Sequence, residues 1–341
     1  MKKIENIKKP NFIKKLFIKF CRFAGFEIID QSNLYLPVSK KLANENLSSL
    51  GNKNITVPLG ETKITRAVKS LDIIIKTCTS VNLVTQNKKR IFERDKSEYT
   101  FRSINSILNS LNLNKEELKK IKIKIFIVDF DSKNEDLKNI QNKLENSNFE
   151  FEIINLNLEN FNQIKTLDKN NPIIERNMKA TMASIYTSFK VAKKCEDLIY
   201  FVEDDYIHKK ESILEMISSY EKISSQIGQE LFICPVDYPY LYKKQDDSKI
   251  FLGNKFHWRT TNESLLTFLT SKSLIEKYWE NLLSMSLNEH SPFEVPLHKI
   301  FEKEICISPI PSLAMHCTNV NSIFGISPNI NWNKLWKENE N

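Results

Sequence analysis

Three carboxylates stand side by side at Glu203, Asp204 and Asp205, where the apolar run Leu198, Ile199, Tyr200, Phe201, Val202 ends. Adjacent acids at the end of a buried strand repel one another. A hard divalent cation relieves that repulsion through oxygen ligands. Mg²⁺ and Mn²⁺ take one or two carboxylates and complete their shell with water and phosphate oxygens. The cluster therefore points to a metal ion and, behind it, a diphosphate. Side chains alternate along a strand, so Glu203 and Asp205 are expected on one side and Asp204 on the other. The competing reading is a solvated turn before a helix beginning near Glu211, its acids paired with lysines.

The elements that position these acids are legible upstream. LDIIIKTCTS is a short, β-branched apolar run closed by polar residues, and it reads as a buried strand. EYTFRSINSILNSL has helical spacing, and IKIKIFIVDFDS is a second strand with Asp129 and Asp131 at its tip. EDLKNIQNKL reads as a helix and FEIINLNL as a third strand. The long helix PIIERNMKATMASIYTSFKVAKKC leads to LIYFVEDDYI, the fourth strand, and ESILEMISSYEKI follows as a helix. This alternation predicts an α/β fold, a mostly parallel sheet with flanking crossover helices. Ligands of such sheets sit beyond the carboxyl ends of the strands. Thr77 to Ser80, Asp129 to Ser132 and Glu203 to Asp205 should therefore meet along one edge.

In that order and spacing, DIIIKTCTS, IFIVDFDS, ERNMKATMASIYTSFKVAKKC and LIYFVEDDY resemble the nucleotide-binding half of GT-A glycosyltransferases of the family-2-like kind. The resemblance spans about residues 70–318. It implies a Rossmann-like GT-A fold, with Thr77, Asp129, Asp131, Arg176, Asn177, Lys179 and Asp204 around a nucleotide-sugar. It also implies Mn²⁺ or Mg²⁺ on Asp205 and Glu203. Two departures stand out. The acidic motif opens with Glu instead of Asp, and Phe130 occupies the place of a Gly between the acids of the second tip.

The second half carries further expectations from the resemblance. In SPFEVPLHKIFEKEICISPIPSLAMH, Glu294 stands where GT-A enzymes keep a general base, and His316 where they keep a metal-binding histidine. Glu289 and Asp237 are rival bases. His298 and His208 read as surface or structural residues. In KFHWRTT, His257, Trp258 and Arg259 are candidate acceptor contacts, because an aromatic face stacks on a sugar and Arg grips an anion. The implied reaction is transfer of a sugar to a glycan or lipid-linked acceptor, with inversion, in surface polysaccharide or glycan biosynthesis. The alternatives are a sugar nucleotidyltransferase and an inactive glycosyltransferase-like scaffold. TCTSVNLVTQNKKR contains no Gly, which counts against the first. No GxxxxGK[ST] motif exists, which excludes a P-loop enzyme.

The 341 residues, 41% hydrophobic and 27% charged, suit a soluble chain with a sizeable core. The net charge of +8 suits an anionic partner. No nucleic-acid-binding signature accompanies it, so nucleic acid is not expected. Six cysteines without a CxxC pair predict neither a zinc site nor a disulfide framework, and point to the cytoplasm. Five segments follow. Residues 1–30 hold a basic amphipathic helix, NFIKKLFIKFCRFAGF, and 31–69 form a poorly patterned extension. Residues 70–228 are the nucleotide-sugar half, 229–318 the acceptor half, and 319–341 a tail. The first helix suits an anionic membrane surface, the inner face of the cytoplasmic membrane. Docking on the chain's own core is the other reading.

Overall fold

The computed structural model of the chain describes residues 12–26, 28, 50–51, 53–57, 60–80, 91–243, 247–318 and 324–340. Most of the extension 31–69 and the stretch 81–90 after the first long strand lie outside them. In chain order the elements are α1 (Phe12–Phe23), β1 (Asn54–Val57), β2 (Gly60–Lys63), β3 (Ser70–Thr77), α2 (Lys96–Leu113) and α3 (Lys115–Leu118). Next come β4 (Lys122–Asp129), α4 (Asn134–Glu145), β5 (Glu150–Asn155), α5 (Pro172–Ala192), β6 (Leu198–Glu203), β7 (Tyr206–His208) and α6 (Ser212–Ile227). The second half holds β8 (Phe232–Ile233), β9 (Ile250–Leu252), β10 (His257–Thr260) and β11 (Phe268–Ser271). It continues with α7 (Lys272–Lys277), α8 (Trp279–Leu287), α9 (Val295–Phe301), β12 (Cys306–Ile310), β13 (Ala314–His316) and α10 (Trp332–Glu338).

Nine strands form one sheet in the order β5-β4-β3-β6-β11-β8-β12-β10-β9. The long ladders, β5 to β4, β4 to β3 and β3 to β6, are parallel. Beyond β6 the strands are shorter and mostly antiparallel. The chain builds β3, β4 and β5 outward in one direction, then returns to lay β6 on the other side of β3. The carboxyl ends of β3 and β6 therefore flank a topological switch point, where an open α/β sheet leaves a crevice.

Strand alternation sorts the core into two layers. Leu71, Ile73 and Ile75 of β3 and Leu198, Tyr200 and Val202 of β6 pack on one face with Ile104, Ile107 and Leu111 of α2 and with α6. Ile74, Ile199 and Phe201 face the other way, against Ile185 and Phe189 of α5 and Leu297 and Ile300 of α9. Each fully buried isoleucine contributes about 2 kcal/mol, so this register is firmly set. The same alternation carries Lys76 and Glu203 to the α5/α9 face. Helix α5 begins where the sequence says it should: Asn171 caps the backbone amides of Ile173 and Ile174, and Pro172 takes the first turn.

Three expectations change. LIYFVEDDYI is two strands, because a turn at Asp204–Asp205 separates β6 from β7. SLIEKYWENLLSM, which reads as a single helix from its sequence, breaks at Tyr278 into α7 and α8. The C-terminal segment 319–341 contains α10, whose Trp336 stacks on Phe92 at 3.9 Å between ring centroids and lies under the Arg102 guanidinium. Among the described residues no helix is long and apolar enough to cross a membrane.

Candidate active site

The switch-point crevice opens on the tips of β3 and β4. Thr77 Oγ1 donates to Asp129 at 2.6 Å, and Ser132 closes on the same carboxylate. Thr79 Oγ1 accepts from the Lys133 amide, and the Thr79 amide donates to Ser132 Oγ, each at 3.0 Å. Thr77 and Asp129 are both buried, so these bonds lock two strand tips together. Asp129 is thus bonded inside the fold, which differs from a role as an open base contact. Asp131 is exposed, sits in the left-handed region at φ 56°, and pairs with Arg176 of α5 at 2.8 Å. Asn177 is buried and Lys179 half-buried, both in the first turns of α5.

The three adjacent acids go three ways. Glu203, the last residue of β6, stands in register with Lys76 of β3, and its carboxylate lies 3.3 Å from the Lys76 ammonium. Asp204 turns to the α2 face. There it pairs with Lys96 and accepts from Thr100 Oγ1 at 2.8 Å and the Cys78 amide at 3.3 Å. A buried carboxylate so enclosed cannot also serve a ligand in the crevice, which corrects the expected nucleotide-sugar contact for Asp204. Its burial holds because a cation and two donors replace the lost water.

Asp205 is held by a second ladder. Strand β7 pairs antiparallel with β13, setting Tyr206 opposite His316, and the Cys317 amide donates to the Asp205 carbonyl at 2.8 Å. His316 stacks on Tyr206 at 4.4 Å, and its Nε2 lies 3.7 Å from Asp205 Oδ1. Nδ1 lies 2.9 Å from the carbonyl oxygen of Phe324. A carbonyl only accepts, so Nδ1 carries a proton, and Nε2 is the ring nitrogen that faces the carboxylate. Glu203 does not join them. Among the described residues no three His, Cys, Asp or Glu side chains converge as a metal set. The expected Glu203-x-Asp205 pair fails because the strand ends at Glu203 and alternation does not extend through the turn.

Glu294 precedes α9 on the face that Lys76 and Glu203 share. Burial, reinforced by the negative charge of Glu203, raises its carboxyl to a pKa of about 7, and Lys76 opposes the rise. Tyr206 ties the two groupings together. Its buried hydroxyl bonds that of Tyr238 at 2.6 Å and lies near the charges of both Glu203 and Asp205. The arrangement holds two kinds of chemistry side by side: a carboxyl raised toward neutrality, and a carboxylate facing an imidazole nitrogen. Lys76 is the residue that sequence reasoning missed; its signal was a single cation inside an otherwise apolar strand.

The rival bases have other duties. Asp237 is buried against Arg259 and Tyr242. Glu289 accepts from the Leu167 amide at 2.6 Å. His208 is buried between Tyr200 and Ser106, and burial lowers its pKa to about 3, so it is a neutral structural residue. His298 bonds the Ser264 carbonyl at 2.9 Å. The three expected acceptor contacts are not gathered at the crevice, because β10 lies beyond β11, β8 and β12 from β6. Trp258 is fully buried, which corrects its role as a stacking face for sugar. Arg259 is buried on Asp237, and His257 alone of the three is exposed.

No protein-family model matches the chain, and no curated protein matches it. Among solved structures it is similar to residues 1–349 of S. aureus TarS, at 12% identity over 61% of this chain and 48% of that one, with a TM-score of 0.32. The chain thus spans about half the length of that protein. It is similar to the galactosyltransferase LgtC with donor and acceptor sugar analogues, at 9% identity over 69% of this chain and 72% of that one, with a TM-score of 0.35. It is also similar to UDP-glucose pyrophosphorylase complexed with UDP-glucose, at 11% identity over 80% and 97%, with a TM-score of 0.35. Likenesses this slight assign no chemistry, and what bears on function is the α/β sheet with its crevice between β3 and β6 and the residues gathered there.

Proposed function

We propose that the chain is a glycosyltransferase, moving a sugar from a nucleotide-sugar donor to a hydroxyl of a glycan or lipid-linked acceptor, in surface polysaccharide or glycan synthesis. The support is one arrangement: Glu294, with a pKa raised to about 7, beside the crevice where Asp205 and His316 face each other. A base that ionises near neutrality matches proton removal from an acceptor hydroxyl. All six cysteines stand as thiols, which fits the cytoplasm.

In this reading the acceptor oxygen attacks the anomeric carbon. The bond from that carbon to the diphosphate oxygen breaks, and its electron pair leaves with the nucleoside diphosphate. The acceptor proton passes to the Glu294 carboxylate. One base and one direct displacement invert the anomeric configuration. Lys76 holds Glu203 and moderates the proton affinity of Glu294. Thr77 and Asp129 brace the tips beneath the nucleotide, while Arg176, Asn177 and Lys179 lie at the α5 N-terminus, where the helix dipole favours a diphosphate.

Asp205 and His316 suit Mn²⁺ or Mg²⁺. A carboxylate oxygen and the Nε2 of a neutral imidazole are both ligands for such ions, and two protein ligands with the rest from water and phosphate is their habit. Such a cation supplies neutralisation of charge on the departing diphosphate.

The test is release of nucleoside diphosphate from a panel of UDP-, GDP-, CDP- and dTDP-sugars, by wild type, Asp205→Ala and Glu294→Gln, in Mn²⁺ and in EDTA. Metal-dependent release by wild type alone is expected. No release and no nucleotide binding from any donor would sink the reading. Pyrophosphate exchange with a nucleoside triphosphate would replace it with a nucleotidyltransferase.

A further inference from the structure

Helix α1 leaves a whole apolar face uncovered. Phe12, Ile13, Leu16, Phe17, Phe20 and Phe23 are all exposed, Phe23 to 91%, and Phe26 just past the helix is exposed as well. None of them joins any of the hydrophobic clusters of the fold. On a helical wheel at 100° per residue the six helical side chains fill one arc of roughly 140°. A cluster of this kind on a soluble chain marks an interaction surface.

Charge identifies the partner. Residues 1–26 hold eight basic side chains and one acidic one, a net +7 of the chain's +8, so the other 315 residues are nearly neutral. The helix segment carries Lys14, Lys15, Lys19 and Arg22; Lys19 and Arg22 are exposed outside the apolar arc, Lys19 close to one of its borders. A long cationic side chain at such a border reaches up to headgroups while its stem follows the apolar face down. A protein groove could take the phenylalanines, but it offers no reason for nearly all the net charge to gather on the same segment.

We infer that α1 is an interfacial anchor that lies flat on an anionic lipid bilayer, phenylalanines toward the acyl chains and lysines among the headgroups. At 12 residues the helix is about 18 Å long, too short to span the hydrocarbon and sufficient to lie in its boundary. This inference does not depend on the proposed reaction.

The experiment is flotation of the full chain with vesicles of phosphatidylcholine alone and with 30% phosphatidylglycerol, alongside its solution mass by light scattering. Wild type is expected to float with the anionic vesicles, to bind neutral ones far more weakly, and to detach as salt rises. Phe17→Asp with Phe20→Asp should abolish flotation, since each buried phenylalanine is worth roughly tenfold or more in partitioning. Lys19→Glu with Arg22→Glu should weaken it by roughly fivefold per charge removed. Both variants should keep the wild-type melting temperature, because neither face packs on the core. Failure of wild type to float with anionic vesicles would overturn the inference, as would undiminished flotation of the Phe17/Phe20 variant. So would a wild-type dimer that the same two phenylalanine substitutions dissolve.

Discussion

Lys76 and Glu203 stand opposite each other in register on parallel strands β3 and β6, ammonium to carboxylate at 3.3 Å. Both side chains are mostly buried, so the pair acts in a weakly screened setting. Glu294 feels both partners, the carboxylate raising its proton affinity and the ammonium lowering it. One ion pair therefore tunes the Glu294 carboxyl that burial brings close to neutral pH.

Glu294 should set the acid limb of the pH profile. Its pKa is raised from 4.5 to about 7, and only the ionised form accepts a proton. Turnover of sugar donor should rise with pH through about 7 and then level, and Glu294→Gln should lose at least 100-fold in kcat. The stability sign runs the other way. A carboxyl raised on folding stabilises below its unfolded pKa, and that contribution is lost as pH climbs through about 7. Glu294→Gln should therefore gain on wild type between pH 5 and pH 8.5, by on the order of 2 kcal/mol in urea titrations. An unchanged pH profile in the wild type's acid limb would remove Glu294 from the role.

The Lys76–Glu203 pair can be tested through the same titration. Lys76→Met removes the opposing cation and should move the acid limb to higher pH. Glu203→Gln removes the reinforcing charge and should move it lower. A residue with a purely structural role would lower activity without moving the limb. Matching profiles for both variants would mean that Glu294 does not sense this pair.

Asp205 and His316 should bind Mn²⁺ in the presence of a nucleoside diphosphate, followed by the loss of free Mn²⁺ signal in electron paramagnetic resonance. Asp205→Asn and His316→Ala should each weaken that binding tenfold or more, with the fold intact by circular dichroism. Glu203→Gln should change it far less, because Glu203 lies with Lys76. Equal losses from all three would restore Glu203 to the ligand set. No binding by wild type would leave the facing pair a polar contact only.

Much of this was legible in the sequence because it rests on periodicity. The runs around Ile73–Ile75 and Ile125–Val128 could only be buried strands, and the spacing along α2, α5 and α6 could only be helical. Asp204 does point away from Glu203 as expected, but the turn after β6 sends it to α2, since the strand has already ended. What could not be read was the turn after Glu203, since three like residues carry no mark of where a strand stops. Trp258 was misplaced for a related reason. An aromatic within a polar stretch looks exposed until Gly253 is seen beneath its ring, where an added Cβ would come within 2.2 Å of the indole nitrogen. Lys76 escaped notice because a cation in a buried strand means nothing until the neighbouring strand supplies its carboxylate.

Asp204 and Asp205 are adjacent acids with opposite expected behaviour, and stability measurements separate them. Asp204 shares a buried ion pair with Lys96, both side chains about one-tenth exposed. Asp204→Ala would leave an ammonium enclosed without its partner, and the Thr100 hydroxyl and Cys78 amide without their acceptor. Breaking one side of a buried pair costs about 3–5 kcal/mol. In a chain of this size that should lower the melting temperature by several degrees. Lys96→Met in the same background should restore part of the loss, because the stranded charge is then gone. Asp205→Ala, at the open end of the β7–β13 ladder, should leave the melting temperature within a degree or two while abolishing metal-dependent turnover. If Asp204→Ala melts like wild type, the Asp204–Lys96 pair does not brace the fold. If Asp205→Ala melts as low as Asp204→Ala, both acids are structural and the crevice has lost its candidate ligand.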